Sequence, residues 1–116
     1  MNTEACCPET DSSLYEARAE VFRALAHPTR LRLLECLADG EHCVCELHVA
    51  VGSSLPTVSR HLAQMKAAGL LGCRREGNNI HYRLLVPCIT NTLACIDEAL
   101  RADSDRRAEV CSACSR

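Results

Sequence analysis

The spacing of apolar residues changes along this chain at Gly69, and that change constrains the fold more than any other feature. Up to Gly69 the apolar residues recur at helical intervals, whereas apolar and polar residues alternate from Ile80 to Leu84. A period of about 3.6 residues is typical of amphipathic helices, and a period of about two is typical of half-buried strands. Together with the turn-forming residues 76–79, the alternation predicts a β-hairpin over residues 70–84. We therefore predict a mainly α fold that carries a small β-hairpin.

The composition also favours helices. Aromatic residues make up 3% of the chain and Trp is absent, so Leu, Ala, Val and Ile must supply the core, as in packed helices. Pro28 separates the first two predicted helices, and Gly40 and Gly52 follow the ends of the second and third. The predicted helices span residues 15–26, 29–38, 43–51, 55–68 and 87–101. The third and fourth, joined by a short turn at Gly52, form a helix-turn-helix candidate.

The length of 116 residues suits one domain with a modest core. We expect a flexible N-terminal arm over residues 1–13, an ordered domain over residues 14–101 and a disordered, charged tail over residues 102–116. No apolar run reaches the roughly 20 residues that cross a bilayer. The polar start of the chain also lacks the features of an export signal. We therefore expect a cytoplasmic protein without a membrane partner.

The positive charge is concentrated in the middle of the chain. The formal net charge is −2, yet residues 51–85 carry five basic and one acidic side chain, a local net charge of +4. Twelve of the 13 basic residues are Arg, which makes bidentate contacts to phosphate and guanine. This distribution indicates a nucleic-acid partner for the central segment.

The fourth predicted helix and the hairpin supply the candidate DNA-contacting residues. Small hydroxyl side chains at the start of the helix allow a close approach to a groove, and Arg60 can reach a base or a phosphate. The alternative is an ordinary amphipathic helix with a solvated polar face, which the basic hairpin makes less favourable. The candidate residues are Ser54, Pro56, Thr57, Ser59, Arg60 and His61 on the helix, and Arg74, Arg75, Asn78 and Asn79 on the hairpin or wing.

Cysteine is abundant, with ten residues in the chain. Without an export signal, this number indicates metal binding or thiol chemistry rather than a disulfide scaffold. Cys43 and Cys45 lie just ahead of the candidate recognition helix, and thiolates prefer As(III), Cd(II), Pb(II), Zn(II) or Cu(I). Residues i and i+2 of a helix point about 200° apart, so one ion can bind both sulfurs only if the first turn distorts. The alternative is that both are small buried apolar residues.

These motifs, in this order, resemble the winged-helix repressors of the ArsR/SmtB family. The resemblance implies a winged helix-turn-helix homodimer that binds a two-fold operator. It also implies release of the operator, and expression of a resistance operon, when a metal or metalloid binds. The stretches that carry the resemblance are ALAHPTRLRLL at 24–34, EHCVCEL at 41–47, PTVSRHL at 56–62 and REGNNIHYRL at 75–84.

The chain departs from the arsenic-sensing branch of that family at one position. The branch often has a third cysteine where this chain has His48, and As(III) prefers three thiolates. We therefore look for the missing ligand in the vicinal pair Cys6 and Cys7, whose arm could close over Cys43 and Cys45, from the same or the partner subunit. The cadmium and lead branch combines an arm with this helix in a similar way, and zinc ligation through His42 or His48 is a weaker alternative.

The fifth predicted helix carries an apolar stripe at Ile89, Leu93, Ile96 and Leu100, which we expect to bury against a second copy of the chain. Cys88 and Cys95 lie on one side of it, as packing residues or as a second thiolate site, and Cys111 and Cys114 have chelating spacing in the tail. No Gly-x-Ser-x-Gly, phosphate loop or His-Glu-x-x-His motif is present, so we do not expect an enzyme. Together with these cysteines, the resemblance implies a dimeric repressor that As(III) or Sb(III) removes from operator DNA. Its alternatives are a repressor responsive to Cd(II), Pb(II) or Zn(II), and one switched by thiol oxidation or persulfide formation.

Overall fold

The computed structural model describes the backbone of residues 11–114 and the side chains of residues 11–108. The described residues form two compact units, one ending at Leu85 and the other beginning at Val86. The first unit contains four helices, a 3₁₀ turn and three strands: α1 (Ser12–Leu25), α2 (Pro28–Cys36), the 3₁₀ turn (Leu37–Asp39), β1 (His42–Cys43), α3 (Val44–Val51), α4 (Leu55–Ala67), β2 (Leu71–Glu76) and β3 (Asn79–Leu84). The second unit contains α5 (Ile89–Cys114).

Local capping interactions set the boundaries of the helix-turn-helix. At the C-terminus of α3, Gly52 adopts a φ of 73°, and its amide donates to the carbonyls of His48 and Val49. Glycine adopts this left-handed conformation without the steric cost that a Cβ imposes. The hydroxyl of Ser54 then accepts from the Thr57 amide at 3.4 Å and caps α4. The turn predicted at Gly52 and the start predicted for the fourth helix are confirmed.

The core of the first unit is aliphatic, as the composition predicts. α4 packs against α1, α2, α3 and β2, so it lies at the centre of this unit. No polar or charged residue is buried among the side chains of residues 11–108. The most deeply buried side chains are Leu33, Leu34, Leu37, Leu47, Val58, Leu62, Met65, Leu70 and Leu71.

The hairpin is part of a larger sheet than the sequence predicts. β2 and β3 pair antiparallel around a two-residue turn, with Glu76 opposite Asn79, and Gly77 has a φ of 63° in that turn. A third strand, β1, pairs with the other edge of β3, so the strand order is β1-β3-β2. β1 contains two residues, too few for any sequence periodicity to mark it.

The last helix extends beyond the predicted boundary. α5 runs for 26 residues to Cys114, whereas the sequence predicted a helix ending at residue 101 and a disordered tail after it. Arg107 and Asp103 form an ion pair of 3.0 Å at i, i+4 spacing, which stabilises helical geometry in this charged stretch. Despite this length, none of the helices in the described part of the chain is apolar enough to cross a membrane.

Candidate functional site

The two faces of α4 differ as the sequence predicts. Val58, Leu62 and Met65 are buried on one face. The residues predicted to contact DNA at the start of the helix lie at or near the surface: Ser54, Pro56, Ser59 and Arg60 are exposed, and Thr57 is half-buried. The helix therefore presents small polar side chains and one Arg to solvent, a surface suited to a DNA groove.

His61 lies in a different environment from the other candidate residues of α4. It is half-buried, its Nδ1 accepts a hydrogen bond from Arg30 Nε at 3.0 Å, and its ring lies 4.5 Å from that of His27. Burial lowers the pKa of His61, and the nearby positive groups act in the same direction. These contacts join α4 to α2, and the contact of His61 with DNA stays a prediction.

The hairpin carries exposed polar and basic side chains, but these side chains are not equally available for contact with DNA. Arg75, Asn78 and Asn79 are exposed. Arg74 forms ion pairs with Glu41 at 2.6 Å and with Glu76 at 2.8 Å, and these hydrogen bonds raise its pKa above the usual range. A phosphate must compete with two carboxylates for Arg74, so Arg75 is the better placed cation for the predicted DNA contact.

Cys43 and Cys45 lie on either side of the N-terminus of α3. The sequence predicted that Cys43 begins the third helix. In the structure Cys43 instead pairs with His81 of β3 and forms the N-cap of α3. Its amide donates to the Glu46 carboxylate at 3.3 Å, as one half of a capping box. Cys45 lies in the first turn of α3 and is exposed, whereas Cys43 is buried. Burial raises the pKa of the Cys43 thiol, so an ion that binds this sulfur must displace a proton.

The nearby histidines are engaged in other contacts. His42 places its two ring nitrogens 3.0 Å from Asp39 and 3.2 Å from Glu46, and the hydrogen bond to Asp39 is the main cause of its raised pKa. His48 Nδ1 lies 3.2 Å from the carbonyl oxygen of Ser53. Zinc ligation through His42 or His48 would have to displace these contacts.

The described residues supply two thiols at this site and no complete set of ligands. Among residues 11–108, no group of three or more Cys, His, Asp or Glu side chains is arranged to hold an ion. Cys6 and Cys7, predicted to supply a third ligand, lie outside the described residues. Cys88 and Cys95 are exposed in the second unit, and the side chains of Cys111 and Cys114 are also outside the described part.

Two side chains important for the site are not apparent from the sequence. Arg30 donates to His61 and Gln64 of α4 and also approaches the carbonyls of Arg23 and Ala24 at the end of α1. Glu41 joins the segment before β1 to Arg74 of β2. Each of these residues meets partners more than 30 positions away. A sequence without tertiary information gives no signal for such pairs.

Comparison with known proteins agrees with this architecture. The model of the bacterial regulatory proteins of the arsR family matches residues 27–71. The arsenical resistance operon repressor of Escherichia coli K12 is 40% identical over 88 residues, which are 75% of each chain. The chain belongs to the arsR family of bacterial regulatory proteins. The family match runs from the N-cap of α2 to the first residue of β2, so it includes Cys43, Cys45 and the whole helix-turn-helix.

Solved structures extend the family match to the wing. The homodimeric winged helix-turn-helix DNA-binding domain of Mb0332 from Mycobacterium bovis has a TM-score of 0.72 and 30% identity, covering 86% of this ArsR-family chain and 94% of its own. The antimony-specific repressor AntR has a TM-score of 0.67 and 33% identity, covering 91% and 98%. The predicted winged helix-turn-helix is thus confirmed. The Escherichia coli protein and AntR are named as repressors, and Mb0332 as a possible ArsR-family transcriptional regulator.

Proposed function

We propose that this ArsR-family chain is a cytoplasmic repressor that binds operator DNA as a homodimer and leaves it when cysteine thiolates bind As(III) or Sb(III). Release then allows transcription of a resistance operon. The ligands are Cys43 and Cys45, completed by Cys6 or Cys7 of the N-terminal arm. Two of the relatives support this inducer class, because one is a repressor of an arsenical resistance operon and the other is specific for antimony.

The position of the cysteine pair is the observation on which the proposal mainly rests. Cys43 and Cys45 occupy the N-cap and first turn of α3, which is joined to α4 by a three-residue turn. One sulfur is buried and the other exposed, so an ion that binds both must move Cys43 out of its capping position. Since α3 packs directly against α4, such a movement alters the surface that meets DNA. A coupling of about 1–3 kcal/mol, typical of linked sites, corresponds to a loss of operator affinity of about 5- to 150-fold.

The DNA-binding part of the proposal is supported by the exposed side chains of α4 and the wing. Residues 51–85 carry a net charge of +4, and Arg60 and Arg75 within them are exposed. Operator affinity should fall with salt by about 0.9 log units per log unit of salt for each phosphate neutralised. A dimer with two recognition helices should protect two half-sites about 34–36 Å apart. An affinity independent of salt, or protection of one isolated half-site, contradicts this part of the proposal.

A titration of the reduced protein on operator DNA tests the inducer. Operator DNA is selected from a randomised pool, and the protein is kept anaerobic with a phosphine reductant, because thiol reductants bind the same ions. Arsenite, antimonite, cadmium, lead and zinc are then added separately. We expect arsenite or antimonite to release DNA at the lowest concentration. A leading response to cadmium, lead or zinc identifies the alternative inducer class, and release only after oxidation or persulfide treatment identifies a thiol switch.

Serine variants test the assigned ligands. Cys43→Ser and Cys45→Ser should bind operator DNA but lose the response to arsenite, because a hydroxyl is a poor ligand for a soft ion. Cys95→Ser is the matched control, since Cys95 is also exposed but lies in α5. It should respond like the wild type. A normal response from both variants of the central pair refutes the site, and replacement of Cys6 and Cys7 tests the arm separately.

A further inference from the structure

A small cavity brings the exposed cysteine of α3 together with both elements proposed to meet DNA. Its volume is about 150 Å³, and it lies wholly within the first unit. Val44 and Cys45 line it from α3, two residues line it from α4, and the tip of the wing lines another side. The residues that matter here are Cys45, Leu55, Ser59, Asn78, Asn79 and Ile80.

One contact crosses this cavity. The Cys45 thiol donates to the side-chain oxygen of Asn79 at 3.7 Å, a bond that joins residues 34 positions apart. Asn79 is the first residue of β3 and lies opposite Glu76 across the wing turn. The contact therefore ties the tip of the wing to the first turn of α3, although a thiol is a weak donor.

Further contacts join the same segment to the wing, and they include the pair His42–Tyr82 of the β1–β3 ladder. Glu41 accepts from Arg74 Nε at 2.8 Å, and Cys43 pairs with His81 in the β1–β3 ladder. The wing thus contacts four positions of the segment that carries the cysteine pair: 41, 42, 43 and 45. A displacement of this segment cannot leave the wing unaffected, because the strand that carries Cys43 belongs to the wing's own sheet.

We propose that Asn79 is a positioning residue that holds the wing against Cys45 in the DNA-binding state, and that ion capture by Cys45 releases it. This inference rests on the proposed function. When the sulfur binds an ion, the thiol proton passes to solvent and the donor to Asn79 is lost. The ion also needs room beside the sulfur for its other ligands, and the side-chain oxygen of Asn79 lies 3.7 Å from that sulfur.

The Asn79→Ala variant separates this coupling role from a direct contact with DNA. The measured quantity is the ratio of operator affinity without ion to operator affinity with ion, using sodium arsenite and cadmium chloride in separate experiments. If Asn79 holds the wing on Cys45, the variant has a partly released wing already, and its ratio falls about 2- to 10-fold below that of the wild type. If Asn79 contacts DNA and nothing more, both affinities fall by the same factor and the ratio is unchanged, which overturns the inference.

Asn78→Ala is the matched control. Asn78 is the same residue type, is exposed, and precedes Asn79 in the same turn. Its replacement can alter operator affinity, but it should leave the ratio at the wild-type value. A ratio lowered equally in both variants attributes the effect to the turn as a whole and overturns the specific role of Asn79.

Hydrogen exchange provides a second test that needs neither DNA nor a variant of Asn79. Either ion should accelerate amide exchange in β3 of the wild-type protein, and Cys45→Ser should show no such change. If wild-type DNA binding responds to the ions while the amides of β3 do not, the inference fails and the proposed function stands. If neither these ions nor antimonite affects wild-type DNA binding, the proposed function fails and the inference fails with it.

Discussion

Arg30 shows how a side chain of a neighbouring helix can orient α4, the proposed DNA-recognition helix. Its guanidinium donates to His61 Nδ1 at 3.0 Å and to the side-chain oxygen of Gln64, both in α4. It also lies 3.4 Å from the carbonyl of Ala24 in α1. A guanidinium has five N–H donors in a rigid plane, so it can join three helices at once. This network requires an unprotonated Nδ1 on His61.

The pH dependence of stability tests that requirement. Burial lowers the pKa of His61 in the folded protein from the usual 6.5, whereas the unfolded chain protonates near 6.5. The stabilising contribution is therefore present above pH 6.5 and is lost as the pH falls from there through the folded pKa. His61→Asn keeps an acceptor near Arg30 without a titrating ring. Urea unfolding at about pH 7.5 and 5.5 should show a smaller loss for the variant than for the wild type. Equal losses assign the acid sensitivity to other groups.

At the scale of the element, α4 carries core residues on one face and the proposed DNA-contacting residues on the opposite face. Leu62 is 0% exposed, and Arg60, two residues before it, is exposed. The two side chains point about 200° apart because each helical residue turns the chain by about 100°. Replacements on the two faces should therefore have different consequences.

Leu62→Ala should lower the free energy of unfolding by about 2–5 kcal/mol, because it leaves a cavity in a fully buried core. Arg60→Ala should change it by no more than about 0.5 kcal/mol. The same variant should lose about 1–3 kcal/mol of operator binding through a lost base or phosphate contact. Urea unfolding and DNA titration measure the two quantities. A large loss of stability in Arg60→Ala shows that this residue supports the fold instead.

At the scale of the whole molecule, α5 leaves an apolar surface without cover in the single chain. Ile96 is 45% exposed and Leu100 is 63% exposed, four residues apart on one side of the helix. Apolar side chains exposed together in a regular stripe mark an association surface. The homodimeric Mb0332 domain supports a second copy of this chain as the occupant.

Leu100→Glu tests this association. Sedimentation should give the wild type twice the chain mass of 12.7 kDa, and should shift the variant toward the single-chain mass. Operator affinity should fall as well, because two separate chains lack the gain that a dimer has from binding both half-sites at once. Glu98→Gln, an exposed residue on the opposite side of α5, is the control and should remain dimeric. A dimeric Leu100→Glu variant places the association surface elsewhere.

The sequence by itself determined the order of the helices, the helix-turn-helix and the position of the wing turn within residues 76–79. These features depend on interactions between near neighbours, such as Ser54 with Thr57 and the left-handed Gly52 with His48, which leave a local pattern in the residue types. The continuation of α5 was missed because a polar, charged stretch has no apolar periodicity to reveal it.

Tertiary structure alone decided which candidate residues remain available at the surface. In the folded chain His61 accepts a hydrogen bond from Arg30, and Glu41 accepts one from Arg74. Cys43 lies in a strand of two residues. The fold also brings Cys45 to Asn79. These side-chain contacts join residues more than 30 positions apart, so chain folding brings them together and no local spacing encodes them. Two cysteines that are two positions apart in the sequence are thus one buried and one exposed residue in the fold.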